Sequence, residues 1–189
     1  MKAILICQHG GLDQINFQEI DCQEVRAGYV LVKMKAAALN HLDLFVTEGI
    51  PGLKLEMPHV LGADGAGVVE VLGEDVAGFA VGDRVMLNAA LSCEECEFCR
   101  NGEHGMCIRL QLVGEHSHGT FAEYFSVPAV NLEKIPPSVS FEEAAAFSLV
   151  FQTAWRMLKT RSAIQSGDTV FIHGIGGGVG SAALHIVKL

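Results

Sequence analysis

Asp168-Thr169-Val170-Phe171-Ile172-His173-Gly174-Ile175-Gly176-Gly177-Gly178-Val179-Gly180 sets a short β-branched and aromatic run against a glycine-rich turn. The run reads as a buried strand, and Ser181 to Leu189 behind the glycines reads as a helix. Strand, glycine turn and helix in that order open a βαβ unit. Gly174, Gly177 and Gly180 recur every three residues, a departure from strict G-x-G-x-x-G. The turn would still aim the helix N-terminal amides at a pyrophosphate. The plainer reading of the same glycines is a tight turn with no ligand.

Toward the N-terminus the pattern changes. Ser140 with Glu143 three residues later is a capping box opening an alanine-rich helix, and a second helical stretch runs from about Gln152 to Lys159. Before Pro136-Pro137 the chain reads mainly as strands. Lys2 to Gln8 is short and apolar, and Val30, Val32 and Met34 alternate with Leu31, Lys33 and Lys35 as in a sheet with one wet face. Gly62 to Leu72, Val81 to Leu87 and Phe121 to Val127 continue in that style, and Asn40 to Glu48 reads as a helix stopped by Gly49. The domain boundary is expected near residue 150, giving domains 1–150 and 151–189.

Composition narrows the classes. Of 189 residues, 50% are apolar and 19% charged, enough to bury a core and too apolar for a disordered chain. The net charge of −9, with no basic cluster, argues against a nucleic-acid or anionic-membrane surface. Mean hydropathy is high at +0.33. Even so, no apolar stretch approaches the ~18–20 residues of a spanning helix, and the apolar run after Lys2 is too short for a signal-peptide core. The expectation is a soluble, cytoplasmic protein.

Four of the six cysteines, Cys93, Cys96, Cys99 and Cys107, form C-x2-C-x2-C-x7-C. Clustered thiols of this kind hold a metal more often than they form disulfides. The ferredoxin run places its fourth cysteine closer and follows it with proline, whereas Ile108 follows Cys107. Tetrahedral zinc is the expected occupant. With four protein ligands it has no open position for substrate and is structural.

The cysteine lobe followed by the glycine run resembles the medium-chain dehydrogenase/reductase family of zinc alcohol dehydrogenases and quinone oxidoreductases. Ala38-Leu39-Asn40-His41-Leu42-Asp43, Leu61 to Gly67, Val81-Gly82-Asp83-Arg84-Val85 and Gly119 to Tyr124 extend the likeness along essentially the whole chain. The resemblance implies a mixed fold: a GroES-like β-barrel domain carrying the 93–107 zinc lobe, then the start of a Rossmann domain. It implies a nicotinamide cofactor, NAD(P)H, contacted by His41, Thr153, Gly174, Gly177, Gly178, Val179 and Gly180. The acidic residue that would distinguish NAD from NADP is expected ~20 residues past the turn, beyond Leu189. A small-molecule substrate and a homo-oligomer of the longer protein are implied as well.

Three departures set the chemistry. Relatives with catalytic zinc place a cysteine at Asn40, a histidine at Ala63 and a third ligand at about Leu149. Asparagine, alanine and leucine do not replace thiolate and imidazole, so the catalytic zinc is expected to be absent. Without it, quinones, enones and other activated carbonyls are easier acceptors than alcohols are donors, because the developing charge is delocalised. Asn40 is the candidate hydrogen-bond donor to that charge, and Asp43 and Asp64 are candidates for a polar pocket, with a turn or helix-start role as the alternative for each. A helix N-cap is the competing role for Asn40. A rewired metal site built from His41, Asp43, His59 and Asp64 is a further alternative. Two whole-protein readings compete with the reductase: a zinc-type alcohol dehydrogenase, and a non-catalytic truncated fragment or binding module that retains the zinc-braced lobe.

Overall fold

The computed structural model describes residues 1–189. Two compact units make it up, Met1–Ala146 and Phe147–Leu189.

In the first unit β1 (Lys2–Ile6), β2 (Ile15–Glu19), β3 (Tyr29–Ala38), α1 (His41–Glu48), β4 (His59–Val60), β5 (Asp64–Leu72), β6 (Arg84–Leu87) and β7 (Ala90–Leu91) follow one another. After them come α2 (Glu97–Arg100), β8 (Gln111–Leu112), β9 (Tyr124–Pro128) and β10 (Leu132–Lys134). The strands form a three-stranded sheet in the order β2-β1-β4, a five-stranded sheet β10-β6-β5-β3-β9, and the hairpin β7-β8. The expected closed barrel is not formed. In the five-stranded sheet β9 and β10 remain edges, and the segment before β9 hydrogen-bonds the three-stranded sheet. There Ala3 bridges Ala122, and the Ile4 N–H donates to the Phe121 carbonyl at 2.7 Å.

β3 departs from simple alternation. Leu31 is buried along with Val30 and Val32, and the wet face begins only at Lys33. The pairing with β5 slips between Leu31 and Val32, where Glu70 is the extra residue, and a one-residue slip turns side chains to the other face. The sequence pattern shows the alternation but not the bulge.

Helix α1 forms as expected. Its inward positions are Asp43, Val46 and Thr47, and Gly49 ends it at φ 100°. Val46 packs with Ile6 and Leu61, which fixes the helix against β1 and the segment entering β5. Burying side chains of this size gives on the order of 1.5–3 kcal/mol each. At the other end of the unit Ala144 and Ala145 pack against Ala66 and Ile135, at the start of α3 (Phe141–Trp155). The Ser140–Glu143 capping box is present in both directions: the Ser140 N–H donates to Glu143 at 2.8 Å, and the Glu143 N–H to Ser140 Oγ at 3.1 Å. The Ser140 backbone N–H, and after it the Ser140 hydroxyl, hold the Glu143 carboxyl below its ordinary value.

The second unit corrects three expectations. Where two helical stretches were expected, α3 is continuous to Trp155 and runs on into a π-helical segment, Arg156–Arg161. No glycine or proline interrupts Ser148 to Lys159. The Asp168–His173 segment is not a strand. Val170 and Ile172 do pack on the core of Ala154, Leu158, Ala182, Ala183 and Ile186, while Phe171 is 88% exposed. The period-two pattern is therefore there, but no neighbouring strand pairs with it. The closing helix α4 spans Gly178–Val187, so it takes up Gly178, Val179 and Gly180 and starts earlier than Ser181. No helix is long and apolar enough to cross a membrane.

Candidate functional site

Cys93 follows β7, Cys96 caps α2, Cys99 lies within α2, and Cys107 follows a 3-10 turn over His104–Met106. Their Sγ atoms all lie within 4.8 Å of one another. Cys93 and Cys99 stand 3.9 Å apart and Cys96 and Cys99 3.5 Å. Tetrahedral Zn–S bonds of about 2.3 Å place sulfurs roughly 3.8 Å apart, so the cage has the size of one ion. An iron–sulfur cluster is larger than an ion and holds its thiolates further apart. The N–H groups of Cys93 and Arg109 each point at Cys107 Sγ at 3.3 Å, a donor set suited to a thiolate. Burial, with the neighbouring sulfurs adding to it, pushes the Cys99 thiol up to about 12. At Cys93 burial also raises the pKa, but hydrogen bonds from the Cys96 backbone and from the Cys107, Cys96 and Arg109 side chains outweigh it and bring the thiol to about 6. A bound cation would hold all four as thiolates. The exposed pairs Arg109–Glu95 and His104–Glu94 add little.

The second cluster lies where α1 meets β5. Asn40 is the N-cap of α1 by position, and its backbone N–H donates to the Asp43 carboxylate at 2.7 Å. Its side-chain amide donates to Asp64 Oδ2 at 3.0 Å. The cap and pocket roles thus coexist in one residue. Asp64 is 1% exposed at the first position of β5, and its backbone carbonyl accepts from Thr120 Oγ1 at 2.7 Å. Burial raises the Asp43 pKa, opposed by backbone hydrogen bonds from Asn40 and Gly62. Asp43 therefore ties α1 to the segment 59–64 that leads into Asp64.

His41, the first residue of α1, is exposed, with its ring 6.4 Å from that of Phe45. His41, Asp43, His59 and Asp64 do not converge as ligands; the cluster whose ligand atoms meet is the four cysteines. His59 instead faces the Gly114 carbonyl. Ala63, at 0% exposed, offers no ligand atom.

In the second unit Gly177 caps α4, and Gly174, Gly176, Gly177 and Gly178 are exposed. A Cβ on Gly180 would stand 2.6 Å from the Gly174 carbonyl, so the turn closes tightly on itself there. The first amides of this ten-residue helix have no intrahelical acceptor, which is the donor set an anion needs. Thr153 is exposed and turns its hydroxyl back to the Leu149 carbonyl at 2.8 Å.

The sequence reading missed Thr120, Gly114, Gly119 and the roles of His59 and His118. These residues clasp the segment 59–64 from a loop more than fifty residues away, through His59 to Gly114, Val60 to His118 and Thr120 to Asp64. Only the Gly119 to Tyr124 string carried a signal, and it did not say what the string touches.

Residues 26–137 match the family described as the alcohol dehydrogenase GroES-like domain. A curated alcohol dehydrogenase of Schizosaccharomyces pombe is 36% identical over 98% of this chain and 53% of its own length. A solved NAD-dependent alcohol dehydrogenase is 46% identical with a TM-score of 0.96, covering 100% of this chain and 55% of that one. A quinone oxidoreductase of Pseudomonas syringae is 30% identical with a TM-score of 0.80, over 99% of this chain and 49% of that one. The chain spans about half the length of the curated relatives it matches. With more than half of its residues inside the matched segment, and with relatives of this kind along its whole length, the chain belongs to the alcohol dehydrogenase GroES-like domain family of medium-chain dehydrogenase/reductases.

Proposed function

We propose that this chain is part of a zinc-braced, NAD(P)-dependent oxidoreductase whose hydride acceptor is a quinone, an enone or another activated carbonyl. The observation that carries the reading is the bond from the Asn40 amide to Asp64, next to Ala63: by the resemblance, catalytic-zinc relatives have a cysteine at position 40 and a histidine at position 63, and neither asparagine nor alanine replaces those ligands. The nicotinamide cofactor supplies the hydride, and the glycine turn with the α4 N-terminus is the site that fits its pyrophosphate. In this reading Gly174, Gly177, Gly178, Val179 and Gly180 open a Rossmann domain in residues 151–189, and His41 and Thr153 contact the cofactor. Residues 1–150 form the catalytic domain. Zinc in the cysteine lobe braces that domain and takes no part in the reaction.

Asn40 acts on the acceptor oxygen. Its amide carries two hydrogens, and one is held by Asp64 at 3.0 Å. That bond fixes the orientation of the amide and leaves the second hydrogen for charge developing on the substrate oxygen. A preset donor of this kind stabilises the transition state more than the bound ground state. A delocalised acceptor needs no stronger electrophile, whereas an unactivated alcohol would need a group that lowers its hydroxyl pKa.

The expected result with the longer protein is NAD(P)H-dependent reduction of quinones or enones far above oxidation of simple alcohols. Asn40→Ala is expected to lower kcat about 100-fold with a small change in KM for cofactor. Steady-state kinetics on both substrate classes checks this. Unchanged turnover in Asn40→Ala, or efficient ethanol oxidation that chelators abolish, would favour the second reading, zinc-dependent alcohol oxidation. That reading is supported by the names of the alcohol dehydrogenase relatives. Clustered free thiols suit a reducing compartment, so the cytoplasm is the proposed location and a homo-oligomer the proposed state of the longer protein.

A further inference from the structure

Two imidazoles hold the loop between β8 and β9 against the segment that carries Asp64. His59, 2% exposed, faces the Gly114 carbonyl with Nε2 at 3.0 Å. Half-buried His118 uses Nδ1 to accept the Val60 N–H at 3.2 Å, and the two ring centroids are 5.6 Å apart. Backbone bonds complete the clasp. Gly119, Thr120 and Phe121 donate to the carbonyls of Val60, Gly62 and Leu61 at 2.8, 2.9 and 2.9 Å.

The two rings respond oppositely to a proton. His59 donates to its carbonyl, and a second proton on the far nitrogen leaves that bond in place. His118 accepts, so a proton on Nδ1 meets the Val60 N–H donor to donor and the bond is lost. Burial, ahead of the neighbouring His118 and His9 charges, pushes the His59 pKa below its ordinary 6.5. Its neutral form therefore favours the fold above pH 6.5, and that contribution is lost as the pH falls through the lowered value.

Solvent reaches the His118 ring through a cavity of about 450 Å³ that also holds Glu24, Arg26, Tyr29 and Gln111. The titratable and charged groups around the pair are His9, whose charge acts on His59, Glu24, Arg26 and Tyr29, which line the cavity with His118, and Glu115 and His116, close to His118 along the loop.

We propose that His118 is a proton-sensitive latch on the segment His59–Asp64, releasing the Val60 N–H when Nδ1 is protonated and so loosening the support of Asp64. Its effect on turnover rests on the Asn40–Asp64 reading; the latch itself does not.

The test is amide exchange at Val60, measured by NMR on the labelled protein and expressed as a protection factor so that intrinsic pH dependence divides out. Between about pH 7.5 and about pH 5.5, a range that brackets the imidazole titration, wild-type protection is expected to fall about fivefold. In His118→Asn, whose side-chain oxygen accepts without titrating, protection should stay level. In His118→Leu it should be low at both ends. Flat wild-type protection overturns the proposal by itself, without any variant, and so does a His118→Asn protein that keeps the wild-type pH dependence. Turnover is followed on the same proteins, and an acid loss that disappears in His118→Asn is expected. Loss of protection with unchanged turnover upholds the release of Val60 and overturns the loosening of Asp64, while the Asn40–Asp64 reading stands or falls separately with Asn40→Ala.

Discussion

Exchanging Cys99 for serine is expected to take the protein from one tightly bound zinc per chain to none. Cys99 is a buried ligand of the cage, with Cys96 at 3.5 Å and Cys93 at 3.9 Å. A serine hydroxyl is a harder and far less acidic ligand, so the exchange removes a Zn–S bond and leaves a polar atom in a buried place. The stakes are large because the lobe holds little else. Its elements are a four-residue helix, a 3-10 turn and the two-residue strands β7 and β8. Its ion pairs are exposed and contribute little. Structural zinc supplies an apparent ~10–16 kcal/mol of binding free energy in small zinc-finger peptides, and that binding energy is folding energy. Without metal, residues 93–107 should open and be cut early in limited proteolysis, while the five-stranded sheet persists. Elemental analysis of protein purified without chelator gives the stoichiometry. Cys7→Ser and Cys22→Ser are the controls, since both thiols are exposed and outside the cage, and each should retain the metal in full. A Cys99→Ser protein that keeps one zinc, or a wild type that carries none or two, would refute the assignment.

The same contrast between local and distant contacts explains what could be read from the chain alone. The cysteine cage was legible because its four ligands lie within 15 residues and their spacing is itself the signal. The α1 helix was legible for a similar reason, with Asn40 at one end and Gly49 at the other. The Asp168–His173 run was misread because its side-chain alternation is a local property, while a strand needs a hydrogen-bonded neighbour that the sequence of the run does not specify. A bulge between β3 and β5 is likewise a property of two strands, and nothing in Leu31 itself reveals that it turns inward. The Asn40–Asp64 bond was half visible. Both residues stood out as departures from, or neighbours of, the ligand positions of relatives, but the clasp that positions Asp64 depends on Thr120, 56 residues further on.

Gly119→Ala is expected to be a severely damaging single-methyl change near the Asn40–Asp64 pair. A Cβ there would overlap the carbonyl oxygens of Gly62 and Leu61, with the Leu61 carbonyl carbon at 2.5 Å. These are backbone atoms, so no side chain can swing away to make room. They are also the atoms that accept the Thr120 and Phe121 N–H groups, so any backbone shift that relieves the overlap breaks the clasp. Gly119 has no left-handed φ, which makes the overlap, and not backbone strain, the cause of the loss. The cost should be about 3 kcal/mol or more, at the upper end for overpacking a filled site. For a unit of this size that corresponds to a fall in Tm of roughly 6–12 °C by calorimetry. Gly78→Ala separates the two mechanisms. Its φ of 84° makes alanine strained, but nothing lies within 4 Å of the added methyl. That change should cost only about 1 kcal/mol. Similar losses for the two variants would mean that conformational freedom alone accounts for Gly119. A much larger loss at Gly119, accompanied by reduced turnover in whatever protein survives, would show that the close approach of residues 119–121 to residues 60–62 carries both the stability of this corner and the placement of Asp64.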